Sequence, residues 1–162
     1  MVGVSTGTYE AFQASLAVAV TAPFYLTQRL LPFFSEGAAI INITSTRAAM
    51  SQKEGEGYAA AKGALASLTH ALAISLGPRI RVNAIAPGWI DTTDSHWGGS
   101  DRAQHPAGRV GLPSDIAEMV LYLASEKASF ITGETITIDG GMSRQMIYHN
   151  DWGWSLTAAE EG

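Results

Sequence analysis

Residues 38–44 read AAIINIT, a short apolar, β-branched run with one amide, Asn42, inside it. Its composition reads as a strand buried on both faces, the setting that a parallel sheet provides. The segments around it decide whether that sheet exists. Upstream, Thr8 suits a helix N-cap with Glu10 in the first turn, and Phe12, Leu16, Val20, Leu26 and Leu30 recur at helical spacing to about Pro32. Downstream, a second helix is expected over 57–76, stopped by Gly77 and Pro78. IRVNAIAP (80–87) reads as the second strand, closed by Pro87 and Gly88. A polar loop over 91–111 follows, longer than a plain connector needs to be. Pro113 then opens a helix with an apolar stripe of Ile116, Met119, Val120 and Leu123. ETITID (134–139) is the third strand, ended by Gly140 and Gly141. Helices alternating with short apolar strands predict an α/β fold with a parallel sheet and right-handed crossovers. The chain shows no internal repeat.

Composition narrows the function. The 162 residues suffice for one domain with a sizeable core, and the mean hydropathy of +0.09 is a globular value. Only 15% of residues are charged, which points to much buried surface or an extensive interface. A net charge of −5 without a basic cluster leaves no electrostatic footprint for nucleic acid or an anionic membrane. Small-molecule or protein partners are expected instead. The absence of cysteine excludes disulfides and thiol nucleophiles. His70, His96, His105 and His149 follow no metal-ligand spacing, so no metal site is expected. MVGVSTGTYE lacks the basic and apolar regions of a signal peptide, and ASLAVAVTAPFYL is too short to span a bilayer and contains Pro23. A soluble, cytoplasmic protein is the resulting expectation.

In open parallel sheets, ligands bind beyond the carboxyl ends of the strands. After the first strand stand Thr44 and Ser45; after the second stand Pro87, Gly88, Trp89, Ile90, Asp91 and Thr92. Tyr58 and Lys62, in GYAAAKG (57–63), fall four apart in the first turns of the intervening helix, so they share a face. An ammonium beside a phenol favours the phenolate, which can exchange a proton with an alcohol or carbonyl oxygen. Ser45 could hydrogen-bond that oxygen, and Lys62 could use its remaining donors on a sugar hydroxyl. The redox step itself needs a cofactor. The Tyr-Lys pair alone is a weak signal; its combination with a serine 13 positions earlier and a PG after the next strand is stronger. Serine hydrolysis is disfavoured, because Ser45 lacks a G-x-S-x-G elbow and a paired histidine.

The combination NITS (42–45), YAAAK (58–62), IRVNAIAPGWIDT (80–92), GRVGLPSDIAEMVLYLAS (108–125) and ITGETITIDGGM (131–142) resembles the short-chain dehydrogenase/reductase family over residues 8–145. The resemblance implies part of a doubly wound, Rossmann-like parallel sheet with flanking helices, and hydride transfer between NAD or NADP and an alcohol or carbonyl substrate. By it, Tyr58 is the acid/base, Ser45 binds the substrate oxygen, and Lys62 binds nicotinamide-ribose hydroxyls. Pro87, Gly88, Trp89, Ile90 and Thr92 would form the cofactor-contacting loop, and 93–108 the substrate-covering loop.

Two departures qualify the resemblance. Ala19 stands where the family carries an asparagine that supports a proton relay. The family's first βαβαβ unit, with its glycine-rich phosphate-binding turn, has no counterpart here. AAIINIT would then be an unpaired sheet edge, which predicts an oligomer, pairing with a separate N-terminal half, or instability alone. The alternative reading is a non-catalytic remnant or interaction module unable to bind dinucleotide alone.

Several residues read as structural. Asn42 and Asn83 should be satisfied core amides, Asp139 a turn cap, His70 a helix-surface or interface residue, and His96 and His105 solvated loop residues. Arg47, two positions after Ser45, is a candidate to face substrate. The tail over 146–162, with Trp152, Trp154 and an acidic end, could cover an apolar face or a subunit contact.

Overall fold

A computed structural model describes residues 2–155; the acidic end of the tail lies outside the described residues. Three parallel strands form one sheet in the order β1 (Ala38–Ile43), β2 (Ile80–Pro87), β3 (Thr135–Ile138). The register runs from Ala38 opposite Ile80 to Ile43 opposite Ile85, then from Ala84 opposite Thr135 to Pro87 opposite Ile138. Strand β2 is central because both of its edges are paired, and Ile80, Val82, Asn83, Ala84, Ile85 and Ala86 are buried.

Alternation along β2 divides the core into two faces. Ile80 and Val82 pack with Leu72 and Ala73 of α3 (Glu56–Leu76), joined by Leu31, Phe34, Leu68 and Leu76. Ile85 points the other way, into Leu123 and Ala128, with Ile116, Met119 and Val120 of α5 (Pro113–Ala124) around it. The apolar stripe expected on that helix is therefore the sheet-facing one. The result is a helix–sheet–helix sandwich in which each layer buries one apolar face. Fully burying a residue such as Ile85 stabilises the fold by about 2–3 kcal/mol.

The first expected helix is interrupted. Thr8 caps α1 (Tyr9–Leu16), its Oγ1 accepting from Ala11 N at 3.1 Å. A wide π turn, Ala17–Thr21, then precedes α2 (Ala22–Leu30). Pro23 supplies the reason: it has no N–H to donate to the Ala19 carbonyl, and its ring crowds that carbonyl. The chain widens by one residue, with Ala22 N–H donating to Ala17 O. Val18, Phe24, Tyr25, Leu26, Leu30 and Phe33 remain exposed.

Strand β1 differs from the expectation of burial on both faces. Ala38 to Asn42 are half-buried and Ile43 is 41% exposed, because no strand of the described residues pairs with the outer edge of β1. The expected core amides are satisfied. Asn42 Nδ2 donates to Thr69 Oγ1 at 3.0 Å, and Asn83 Nδ2 donates to Ile131 O at 2.8 Å while its Oδ1 accepts from Glu134 N. By length and composition α3 is apolar enough to cross a membrane. Here Gly57, Ala61, Leu65, Thr69, Leu72 and Ala73 are its buried residues, and Leu72 and Ala73 pack on β2, the arrangement of a core helix in an α/β sandwich.

Candidate active site

The rim beyond the strand ends is built by three exits from the sheet. At the end of β1, Thr44 donates twice to the Ile85 carbonyl, from its N–H at 2.8 Å and its hydroxyl at 2.9 Å. That clamp holds the extended backbone of Ser45, whose buried Oγ accepts from Arg47 N at 3.2 Å and starts a short 3-10 turn, Thr46–Ala48.

The third residue of α3 is Tyr58, 36% exposed, and Lys62 follows one turn later. Lys62 Nζ donates to the Ile43 carbonyl at 2.9 Å, so the ammonium is pinned to the last residue of the open strand. The same Nζ lies 5.7 Å from the centre of the Tyr58 ring. The Arg47 guanidinium stands 4.9 Å from the same centre. Two cations thus stand near one phenol ring.

Tyr58 and Lys62 line a groove of about 830 Å³ along the unpaired edge of β1, with Ile41, Asn42 and Ile43 as its floor and Val18, Ala19 and Pro23 on the opposing wall. Ala19 sits in the π turn and lines the groove with Tyr58 and Lys62. Ser45 belongs to a neighbouring cleft of about 460 Å³, shared with Arg47, Gln52, Trp89, Gln104 and Met142. Among the described residues no hydrogen bond joins Ser45 to Tyr58. The structure places the three expected catalytic residues on one rim but in two adjoining cavities, with Arg47 between them.

The third exit is PGWIDT. Gly88 N–H donates to Ile138 O at 2.9 Å, and a Cβ on Gly88 would stand 2.5 Å from the Cβ of Asp139, so only glycine lets β2 leave this close to β3. Ile90 bridges Gly111 through neighbouring groups: Asp91 N–H donates to Gly111 O and Gly111 N–H to Trp89 O. The amide and carbonyl of Ile90 take no part in that bridge. Thr92 is exposed on the same loop.

Carboxylates tie this side shut. Asp91 is buried and accepts from Thr93 N, Thr93 Oγ1 and Ser95 N at 2.7–2.8 Å; the Thr93 hydroxyl, then these amides, hold its carboxyl below the ordinary value. Asp139 accepts from Gly141 N and Ser143 N, as expected of a turn cap. Burial pushes its carboxyl up, but the donors of Ser143 and Gly141 outweigh this and leave it lowered. Asp115 takes a bidentate pair from Arg109, at 2.6 and 2.7 Å, and also accepts from Leu112 N, which brings its carboxyl down to about 2.

His105 corrects the expectation of a solvated loop residue. It is 2% exposed, packs near Trp89 (ring centres 6.1 Å apart) and against Gly140, and its Nδ1 is 2.9 Å from Asp101 O. Trp89 and Trp97 meet edge to face at 4.7 Å. The polar loop is anchored by this aromatic cluster, which helical or strand periodicity could not reveal. Its short helix α4 (Gly99–Ala103) leads to Gln104 in the Ser45 cleft. His70 and His96 are exposed as expected, and no cluster of possible metal ligands occurs among the described residues.

Comparisons with known proteins agree with this architecture. The family described as enoyl-(acyl carrier protein) reductase matches residues 3–143. An uncharacterized oxidoreductase of Thermotoga maritima is 50% identical over 125 residues, which are 69% of this chain and 48% of that protein. The apo SCOR enzyme of Clostridium thermocellum superposes with a TM-score of 0.92 at 47% identity, covering 98% of this chain and 65% of that one. A 4-hydroxyisoleucine dehydrogenase complexed with NADH superposes at 0.79 with 33% identity, covering 90% of this chain and 65% of that one. The chain spans about half the length of the curated relatives it matches. The sheet order, the Ser-Tyr-Lys rim and these matches together show that the chain belongs to the short-chain dehydrogenase/reductase family, a family of oxidoreductases.

Proposed function

We propose that this chain is the catalytic and nicotinamide-proximal portion of an NAD(P)-dependent dehydrogenase acting on a small alcohol or carbonyl compound. The single observation that carries the reading is the pinning of Lys62 to the Ile43 carbonyl, beside Tyr58, at the mouth of an open groove. Lys62 has three donors and this bond takes one, so two remain for ribose hydroxyls in the groove. The nicotinamide ring, when bound, accepts or supplies the hydride. Tyr58 takes the hydroxyl proton of the alcohol as the carbonyl forms, or returns it in reduction. Ser45, held in an extended backbone by Thr44, orients the same substrate oxygen from the adjoining cleft. Among the described residues the amide and carbonyl of Ile90 make no hydrogen bond, which leaves them available to a carboxamide, with Pro87, Gly88, Trp89 and Thr92 shaping the loop around them. We assign the pyrophosphate to residues outside 1–162, in a glycine-rich βαβ half that pairs with the edge of β1. We propose a cytoplasmic location, in line with the soluble oxidoreductases it resembles.

Titration with NADH and NADPH tests the reading, first on the chain alone and then with a glycine-rich βαβ half supplied. Nucleotide binding and turnover are expected on complementation. No binding in either case would remove it. Light scattering on the chain alone reads the edge: a dimer or larger is expected, and a cooperatively melting monomer speaks against an incomplete sheet.

Ala19 favours a second reading. A methyl group in the wall facing Tyr58 and Lys62 cannot hold a relay water as an amide side chain can. A non-catalytic module that retains the rim without turnover fits that substitution. It predicts that complementation restores nucleotide binding but no hydride transfer.

A further inference from the structure

The first turn of α3 carries Tyr58 but has no side-chain cap, since Gly55 occupies the N-cap position. Helix-start amides fray unless a partner outside the helix takes them. Here the Gly57 N–H donates to the Val2 carbonyl at 2.8 Å. That carbonyl belongs to a strap, residues 2–7, which turns back on itself through Gly7 N–H donating to Gly3 O and then leads into the Thr8 cap of α1. Glu54 fastens the strap. Its Oε1 accepts from Ser5 Oγ at 2.6 Å and its Oε2 from Thr6 Oγ1 at 3.0 Å, while Glu56 Oε2 accepts from Val4 N at 3.2 Å. The Ser5 hydroxyl, then that of Thr6, hold the Glu54 carboxyl below its ordinary value, so it stays an acceptor for both. The fit is close: a Cβ on Gly3 would collide with this carboxylate, and a Cβ on Gly57 would stand 2.7 Å from Val2 Cβ. Glu54 has a φ of +59°, where glycine sits without strain and glutamate does not, so its side chain and not its backbone suits the position.

We propose that Glu54 is a positioning residue for the reaction: by clipping residues 2–7 over the first turn of α3, it holds Tyr58 where the proton is exchanged. The proposal rests on the assignment of Tyr58 as the acid/base. Glu54 does not line the groove, whereas Val2 does, together with Tyr58 and Lys62. Its action therefore runs through the strap and the Val2–Gly57 bond. Tyr58 is the neighbour of Gly57, so a loosened first turn displaces the phenol. Lys62, one turn further along and bonded to the Ile43 carbonyl, keeps its place. A displaced phenol slows proton exchange and leaves the nucleotide contacts as they were. The mark of this role is a loss in kcat with the KM for nucleotide retained.

The test compares the parent with Glu54→Gly, Glu54→Gln and the double variant Ser5→Ala/Thr6→Val, each as the full chain, alone and complemented. Glycine removes the carboxylate and suits the positive φ, and glutamine can still pair with both hydroxyls. Glu54→Gly and the double variant are each expected to raise the exchange rate of the Gly57 amide at least about tenfold relative to the amides of β2. Both should shift the ring signals of isotope-labelled Tyr58. In the complemented protein both should lower kcat for oxidation of NADH by diacetyl about tenfold, with the KM for NADH changed less than about twofold. Combining them should add less than about twofold, because they break one clip from its two ends. Glu54→Gln should recover most of the kcat. Parental kcat and Tyr58 signals in Glu54→Gly would overturn the proposal, as would a loss that Glu54→Gln does not recover or a KM for NADH that rises as kcat falls. A lower melting temperature at unchanged kcat would mark a stabilising contact only and would also overturn it. If Glu54→Gly does not fold, the double variant decides by the same criteria. If the parent does not reduce diacetyl, the Tyr58 signals decide, and signals unmoved in Glu54→Gly overturn it. Failure of the oxidoreductase reading looks different, with the Gly57 and Tyr58 responses intact and no NADH binding by the complemented parent.

Discussion

Strands β1 and β2 are built from nearly the same residues, AAIINI against IRVNAIAP, and each carries one asparagine between apolar neighbours. In β2 the side chains of Val82, Ala84 and Ile85 are fully buried, while in β1 no residue is and Ile43 is 41% exposed. Position in the sheet makes the difference, since β2 has a partner on both edges and β1 on one. The loops that follow repeat the contrast. Beyond β2 and β3, Asp91, Asp139 and the Arg109–Asp115 pair tie down the turns with nearby donors. Beyond β1, Tyr58 and Lys62 face an open groove, tied down by one bond to the strand edge. The groove proposed as the reaction site thus lies on the side where strand pairing is incomplete.

The sharpest way to test that division is to remove one phenol oxygen. In the complemented protein, Tyr58→Phe is expected to lower turnover by a factor of about 10²–10⁴ without changing the melting temperature, because it removes a proton exchanger at a half-exposed position. Stopped-flow or steady-state rates at saturating nucleotide measure it, and a loss under threefold would detach Tyr58 from the chemistry.

The same truncation on the two strands measures the edge effect directly. Ile85→Ala should cost about 3–4 kcal/mol, since it leaves a cavity between Leu123 and Ala128, whereas Ile40→Ala on the half-buried strand should cost under about 2 kcal/mol. Urea unfolding of both variants gives the comparison; equal costs would mean that β1 is covered in solution, as an oligomer requires.

Gly88→Ala acts at the seam between β2 and β3. Its Cβ would lie 2.9 Å from the Asp139 Cα, which is backbone and cannot swing aside, so about 1–3 kcal/mol of stability should be lost. A variant as stable as the parent in thermal melts would show that the seam is looser than this geometry requires.

The smallest effect concerns pH. Asp115 is held at about 2 in the fold against an ordinary 3.8, so its pair with Arg109 stabilises the native state above about pH 4 and that contribution is lost as the pH falls toward 2. The Arg109 side chain is 49% exposed, and solvent screening limits the contribution to about 1 kcal/mol. Unfolding free energies of the parent and Arg109→Met should therefore differ near pH 6 and converge near pH 2; a constant difference would place the effect in packing.

Local patterns in the chain were enough for the elements. The Thr8 cap, the stop at Gly77 and Pro78, the stripe on α5 and the turn cap at Asp139 depend on neighbours a few residues away, so periodicity and turn chemistry predict them. The widened turn at Ala17–Thr21 was legible in principle, because Pro23 cannot donate to Ala19, but a pattern of apolar spacings passes straight over it. The burial of His105 was not legible at all, because Trp89 and Gly140 reach it from distant parts of the sequence.

The spacing of Ser45, Tyr58 and Lys62, and the motifs around them, were determined by the sequence alone, and they carry the family and the residue types needed for proton exchange. Only the tertiary structure decided that Lys62 bonds the last carbonyl of the edge strand, that Arg47 lies over the Tyr58 ring, and that Ser45 opens into a separate cleft. Spacing along a helix fixes which side chains share a face, whereas what that face meets depends on packing between segments far apart in the chain.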